Sequence, residues 1–370
     1  MYYFILDNIY NSEISNGIFY RYQSLIENLL KMNEEVTLIT HPVEKATYPS
    51  GLKVDFTSSK FALLIIYSEL YFPYYLNTMN ILENSVIISL SEYVTIYQAF
   101  YKLKTKLKCK LILGFHTNYN LYGFLIKNIQ KTMVKFFRYY LYDMVDILLI
   151  SGYSSKKMIN KVVECRKKKP LKKLVWYHMD SRFLDIKPLR FTYDQLITIL
   201  YCGRISDAQK KIFQLLEIYQ NYCANYQQCQ LTIIGNGPDF GTLQQRTRND
   251  SNINLLGNIP NNKLPSVFAK LKSPVFVFPS TSETLGKSPL EASMLGIPVF
   301  TAISIETPYL YQDGQNGYVF TSTEECCQKI NGFFQSSTEQ KNKIIQNGIQ
   351  LRERFRNKTE IVIDKIQNLR

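Results

Sequence analysis

A chain of 370 residues with 46% apolar and 20% charged residues is long enough for two globular domains and too apolar to be disordered. Its net charge of +14 sits mostly in the first half: residues 1–188 hold 25 Lys and Arg against 15 Asp and Glu, residues 189–370 hold 19 against 15. The seven cysteines show no C-x-x-C pair and no metal-ligand spacing, which excludes a zinc-ribbon type of protein and points to reduced thiols in a cytosolic compartment.

The first ten residues, MYYFILDNIY, lack the basic start and cleavage site of a secretory signal and read as a strand. FYRYQSLIENLLKM has helical apolar spacing, and EVTLITH returns as a strand. The apolar stretch FALLIIYSELYFPYYL is broken by Glu69 and Pro73, too soon for a membrane span. SVIISL, KLILGFH and DILLIS are short apolar runs closed by polar residues, as expected of strands buried on both faces of a parallel sheet. The second half repeats the pattern: LITILYCG, CQLTIIG, INLLG, SPVFVFPS and IPVFTA as strands, KKIFQLLEIYQNY, DFGTLQQRT and NKLPSVFAKL as intervening helices. Such β-α repeats predict two doubly wound α/β domains. The expected division is 1–180, a linker over 181–195 where periodicity fades, a second domain over 196–345, and a helical tail over 346–370 with a weak point at Gly348.

The stretch SETLGKSPLEASMLGIPV follows a predicted buried strand and carries two acids, Glu283 and Glu291, with seven residues between them. Ser288, Pro289 and Glu291 read as N-cap, N1 and N3 of a helix, a capping box that by itself accounts for Glu291. The turn before it, at a helix N-terminus beyond the carboxyl end of a parallel strand, suits an anion. It is not a P-loop, because Thr281 stands where the first glycine would be and Glu283 would oppose a phosphate.

In its order of residues, Glu283, Glu291, Ala292, Gly296, Pro298 and Val299, this stretch resembles the retaining GT-B glycosyltransferases of family 4. YCGRISDAQKK, LTIIGNGP, INLLGNIPNNKLPSVFAKL and DGQNGYVF resemble further segments of that family. In the first half the likeness is confined to SNGIFYRYQSLIENLLKMNEEVTLIT, FHTNYNLYG and ILLISGYSSKKM. The resemblance implies two Rossmann-like domains facing a central cleft and transfer of a sugar from a nucleotide-diphosphate sugar, UDP- or GDP-linked, to a glycan or lipid-linked acceptor with retention. It makes Arg204 and Lys210 a cationic clamp on the donor diphosphate, with Lys211 promoted instead if the register shifts by one. The ordinary alternative for these residues is an exposed basic loop. The resemblance further implies that Glu291 binds the ribose diol, and that Glu283 and His116 act near the donor sugar. Backbone N–H groups of Gly17, Leu285, Gly286 and Lys287 would face sugar or phosphate. Two departures stand out. His178 occupies a usual glycine position before Asp180. Glu306 sits at a shifted register, with Tyr309 near the expected glutamate position.

No D-x-D occurs, and no cofactor or metal is expected. Three other readings compete: a glycoside hydrolase using Glu283 and Glu291, a non-catalytic sugar-nucleotide-binding protein, and a nucleotide-sugar epimerase on the same fold. Lys127, Lys131, Lys135 and Arg138 recur on one helical face among aromatics, with further basic clusters at 156–161 and in RKKKPLKK. The ordinary reading is solvated surface. Nucleic acid finds no recognised binding motif here. The functional reading is peripheral binding to an anionic cytoplasmic membrane face.

Overall fold

In the computed structural model the described residues are 1–5, 19–40, 46–56, 81–89, 103–115, 144–150, 172–176, 181–193, 196–281, 283, 285–304 and 306–369. Gly17, His116, Lys127, Lys131, Lys135, Arg138, His178 and Asp180 lie outside them. The chain divides into two compact units, Met1–His178 with Asn357–Arg370, and Met179–Arg356.

The first unit holds a parallel sheet of seven strands: β1 (Tyr2–Ile5), β2 (Val36–Thr40), β3 (Lys53–Phe56), β4 (Val86–Ser89), β5 (Lys110–Phe115), β6 (Ile147–Ile150) and β7 (Lys172–Val175). Their order is β3-β2-β1-β4-β5-β6-β7. Alternate residues build two cores, one on each face. Tyr2, Phe4, Val86, Ile88, Ile112 and Leu149 pack with Tyr22, Leu25, Ile26 and Leu29 of helix α1 (Phe19–Lys31) and with Val362, Ile363 and Ile366 from the end of the chain. Tyr3, Ile5, Ile87, Leu111, Leu113 and Ile150 form the opposite core. Lys172 and Lys173 of the basic run RKKKPLKK belong to the edge strand β7. Charged residues on an edge strand discourage pairing with another chain.

The second unit has a parallel sheet of six strands: β8 (Ile197–Cys202), β9 (Cys229–Ile234), β10 (Ile253–Leu255), β11 (Pro274–Phe278), β12 (Val299–Ala302) and β13 (Tyr318–Phe320). The order β10-β9-β8-β11-β12-β13 places a topological switch between β8 and β11, where the connections turn in opposite directions. Ligands of such sheets bind beyond the carboxyl ends of the strands at that point. β11 is buried throughout, and each fully buried Val or Phe contributes roughly 1.5–3 kcal/mol.

Residues 181–193, read from sequence as part of a linker, are packed within the second unit. They begin with helix α2 (Ser181–Asp185). The Leu189 N–H then donates to the Leu295 carbonyl at 2.9 Å, and Tyr193 packs edge-on against Phe333, centroids 5.2 Å apart. Gly348 is not the break in the C-terminal helical tail either. It sits inside a helix (Thr338–Ile349), where a Cβ would lie 2.6 Å from Ser293 Oγ, so close helix packing explains the glycine. The break falls at Gln350, and a last helix (Leu351–Gln367) carries the chain from the second unit back into the first.

Candidate active site

Three turns at the carboxyl ends of β8, β9 and β10 are bonded edge to edge. The Gly203 N–H donates to the Ile234 carbonyl at 2.9 Å, Ile205 N–H to Asn236 at 3.0 Å, and Gly235 N–H to Gly257 at 2.7 Å. Two positions here admit no side chain. A Cβ at Gly235 would lie 1.9 Å from Gly203 O, and one at Gly237 would lie 2.2 Å from Ile205 O. The glycines of IIGNGP therefore let the β9 turn lie directly on the Gly203–Arg204 turn.

Beyond Arg204, a one-turn helix α3 (Asp207–Lys210) meets helix α4 (Ile212–Asn225) at Lys211, whose φ of 55° is left-handed. An acidic clasp holds this sharp junction. The Asp239 carboxylate accepts the Asp207 N–H at 2.7 Å, and the Asp207 carboxylate accepts the Phe213 N–H at 3.1 Å, capping the new helix. The left-handed junction falls on Lys211, and Lys210, one residue earlier, reaches the site.

The Lys210 ammonium is ion-paired to Glu283 Oε1 across 73 residues of sequence. Ser280 Oγ lies 2.7 Å from the same carboxylate oxygen and 2.9 Å from the Gln209 carbonyl, so its single proton serves one or the other. Lys210 Nζ also stands 5.5 Å from the centre of the Phe278 ring. Phe278 stacks on Tyr201 at 6.0 Å and 16°, and the Tyr201 hydroxyl donates to the Arg204 carbonyl at 3.0 Å. The last residue of β11 and a neighbour in β8 thus form an aromatic floor beneath the cation. Arg204 is exposed.

Helix α5 (Lys287–Met294) corrects the capping-box reading of Ser288 and Glu291. Its N-cap is Gly286, with φ of 63°, and no side chain caps it. Glycine carries the chain into the helix two residues earlier than Ser288 would, a conformation costly for other residues. Glu291 therefore stands more than one turn inside the helix, 8% exposed, beyond the N3 position of a capping box. Lys287 is the first helical residue and Leu285 is buried.

Burial first, and the nearby Glu283 carboxylate second, push the Tyr201 phenol far above its ordinary range. Burial first and Glu291 second push the Cys202 thiol up to about 12. Both stay neutral near pH 7. An open concavity of about 250 Å³ beside the ion pair is lined by Phe278, Ser280, Glu283, Gly286, Glu306 and Tyr311, among others. Glu306 is 1% exposed there, whereas Tyr309 is 44% exposed and does not line it.

The structure therefore brings together Lys210, Glu283, Leu285, Gly286, Lys287 and Glu291 around the ends of β8 and β11, with Arg204 on the adjoining turn. Sequence reasoning missed Tyr201, Phe278, Ser280 and the Asp207–Asp239 clasp. The one available signal was position: Phe278 and Ser280 close the buried run SPVFVFPS. Among the described residues, no group of three or more His, Cys, Asp or Glu is placed to hold a metal ion.

Residues 186–351, which span the whole of the second sheet and the helix through Gly348, match the family described as "Glycosyl transferases group 1". The match covers less than half of the chain and lies within the second unit. Part of the chain is 29% identical over 135 residues to the alpha-monoglucosyldiacylglycerol synthase of Acholeplasma laidlawii, covering 36% of this chain and 33% of the relative. A 28% match over 137 residues to the Arabidopsis thaliana sulfoquinovosyl transferase SQD2 covers 36% of this chain and 25% of that one. These alignments span only about a third and a quarter of the curated relatives' lengths. In fold the likeness extends to the whole chain. The crystal structure of Anabaena HepE in complex with UDP superposes with a TM-score of 0.69 at 14% identity, covering 100% of both chains. In fold, both units are thus Rossmann-like α/β units of the GT-B type.

Proposed function

We infer that the chain is a glycosyltransferase that moves a sugar from a nucleotide-diphosphate sugar to an acceptor, with retention of configuration and without a metal. The observation that carries this reading is the Lys210–Glu283 pair over Phe278, at the switch point of the second sheet and beside the helix that opens at Gly286. Departure of a nucleoside diphosphate develops negative charge on its terminal phosphate. Lys210, Arg204 and the N–H groups at the start of helix α5 supply fixed positive charge for it, the role a metal plays elsewhere. Glu291 offers two lone-pair sets to a vicinal diol, as a ribose presents. Glu283 holds Lys210 and stands at the concavity where the donor sugar would lie. The acceptor's proton would pass to the departing phosphate on the face of attack.

The proposed donor is a UDP- or GDP-sugar, and UDP is the ligand in the HepE structure. The proposed acceptor is a glycan or a lipid-linked molecule. The name of the Acholeplasma relative, a diacylglycerol glucoside synthase, favours the lipid class. With it goes peripheral association with an anionic membrane face through Lys127, Lys131, Lys135 and Arg138. Among the described residues no helix is long and apolar enough to cross a membrane.

Thermal-shift screening with UDP-, GDP- and ADP-sugars tests the donor, since a ligand that binds only the native state raises its melting temperature. The reaction is then followed as release of nucleoside diphosphate. Release that requires acceptor supports transfer. Donor isomerisation without acceptor would make the chain an epimerase, and binding without turnover would make it a sugar-nucleotide-binding protein.

A further inference from the structure

Outside the proposed site, two thiols face each other. Cys223 lies in the last turn of helix α4 and Cys229 opens β9, with their sulfur atoms 3.1 Å apart. The Cys223 sulfur also lies 4.0 Å from the Cys229 carbonyl, whereas Cys109 and Cys327 direct their thiols to carbonyls of other elements, Leu82 and Leu107 for the first and Ile218 at 3.4 Å for the second. Cys223 is half-buried and therefore reachable by a small molecule, while Cys229 is 1% exposed behind it. An accessible thiol backed by a buried one within contact distance is the arrangement of an attacking and a resolving cysteine.

We propose that Cys223 and Cys229 form a redox-active dithiol that closes to an intramolecular disulfide on reaction with a low-molecular-weight disulfide of the glutathione class. The Cys223 thiol loses its proton to solvent, and the thiolate attacks one sulfur of the oxidant. The oxidant's S–S bond breaks, a mixed disulfide forms at Cys223, and one thiolate leaves and takes up a proton. Cys229 then loses its proton to solvent and attacks the Cys223 sulfur, expelling the second thiolate, which is protonated in turn. Two protein sulfurs are oxidised and the two sulfurs of the oxidant are reduced, with protons conserved. Burial, then the hydrogen bond with Cys223, holds the Cys229 thiol well above the ordinary cysteine range.

The closed form would clip α4 to β9 at the end of the sheet away from the proposed site. The other ends of the same two elements carry that site: α4 begins directly after Lys210 and Lys211, and β9 runs into the Gly235–Gly237 turn. The inference stands independently of the sugar-transfer reading.

The test uses the full chain, reduced, freed of reductant, and equilibrated with oxidised glutathione. It is then alkylated under denaturing conditions and mapped by peptide mass spectrometry. The expected result is loss of two alkylatable thiols, a Cys223–Cys229 cross-linked peptide, and a higher melting temperature for the oxidised chain. C223S should lose the cross-link, while C327S should keep it. Full alkylation of both residues, a glutathione adduct persisting on Cys223, or a cross-link to Cys327 would each overturn the proposal. The peptide map of the unaltered chain decides the matter even if a variant folds poorly.

Discussion

Glu283→Gln has an unusual predicted signature: it should abolish transfer yet tighten binding of the bare nucleoside diphosphate. In the ligand-free structure Lys210 is already engaged by Glu283, with side chains 21% and 14% exposed. A diphosphate must share or take over that cation. Two unit charges about 4 Å apart in a medium of effective dielectric near 20 interact by about 4 kcal/mol. Fully exposed pairs yield only about 0.2–1 kcal/mol. A largely buried pair with its remaining acceptor sites served by Ser280 falls between, at about 1–2 kcal/mol, or roughly five- to thirty-fold in affinity. Isothermal titration calorimetry with UDP and GDP should therefore give a Kd lower by that factor in E283Q. Lys210→Ala should weaken binding, and the double variant should show no gain over K210A, because the gain acts through the released lysine. Equal or weaker nucleotide binding in E283Q would refute the argument, and a gain that survives in the double variant would show that the carboxylate acts on the ligand without Lys210.

Four further outcomes are expected. Arg204→Ala should lower kcat by about 10²–10³ while leaving the melting temperature unchanged, since the side chain is exposed; steady-state kinetics beside a thermal melt reads both. Glu291→Gln should raise the donor KM with little loss of stability, because the amide keeps the size of the side chain and the position lies beyond the first helical turn; destabilisation with unaltered KM would restore a purely structural role. Gly237→Ala places a methyl 2.2 Å from the Ile205 carbonyl, so the turn must shift and both thermal stability and nucleotide binding should fall. Co-sedimentation with anionic vesicles should be lost at high salt and on charge reversal of Lys131 and Lys135, with nucleotide binding intact; indifference to anionic vesicles at low salt would favour a soluble glycan acceptor.

Much of the architecture was legible because the central strands are buried on both faces and carry unbroken apolar runs. ITILYC, PVFVF and VFTA could scarcely be anything else. KVDF and KKLV escaped notice for the opposite reason: β3 and β7 are edge strands, and charge there hides them from a search for apolar runs. The capping box misled because its residue pattern is local, whereas the start of the helix is decided by the positive φ of Gly286. The glutamates and the glycine turns were visible as motif. The pairing of Lys210 with Glu283 was not, since only the parallel pairing of β8 with β11 brings the two together. Nor was the clasp that makes Lys210 rather than Lys211 the inward residue, since Asp207 and Asp239 are ordinary surface acids until β8 and β9 lie side by side.

The last helix fixes an order of events during synthesis. Val362, Ile363 and Ile366 belong to the core of the first unit, yet they are translated only after the whole of the second unit. Domains made early on the ribosome ordinarily fold early. Here the unit translated first cannot close its core until the residues after Arg356 have emerged, while the second unit, Met179–Arg356, has all of its own chain beforehand. The nascent chain therefore completes its halves in reverse, with an apolar sheet face of the earlier half left waiting for its final helical turns.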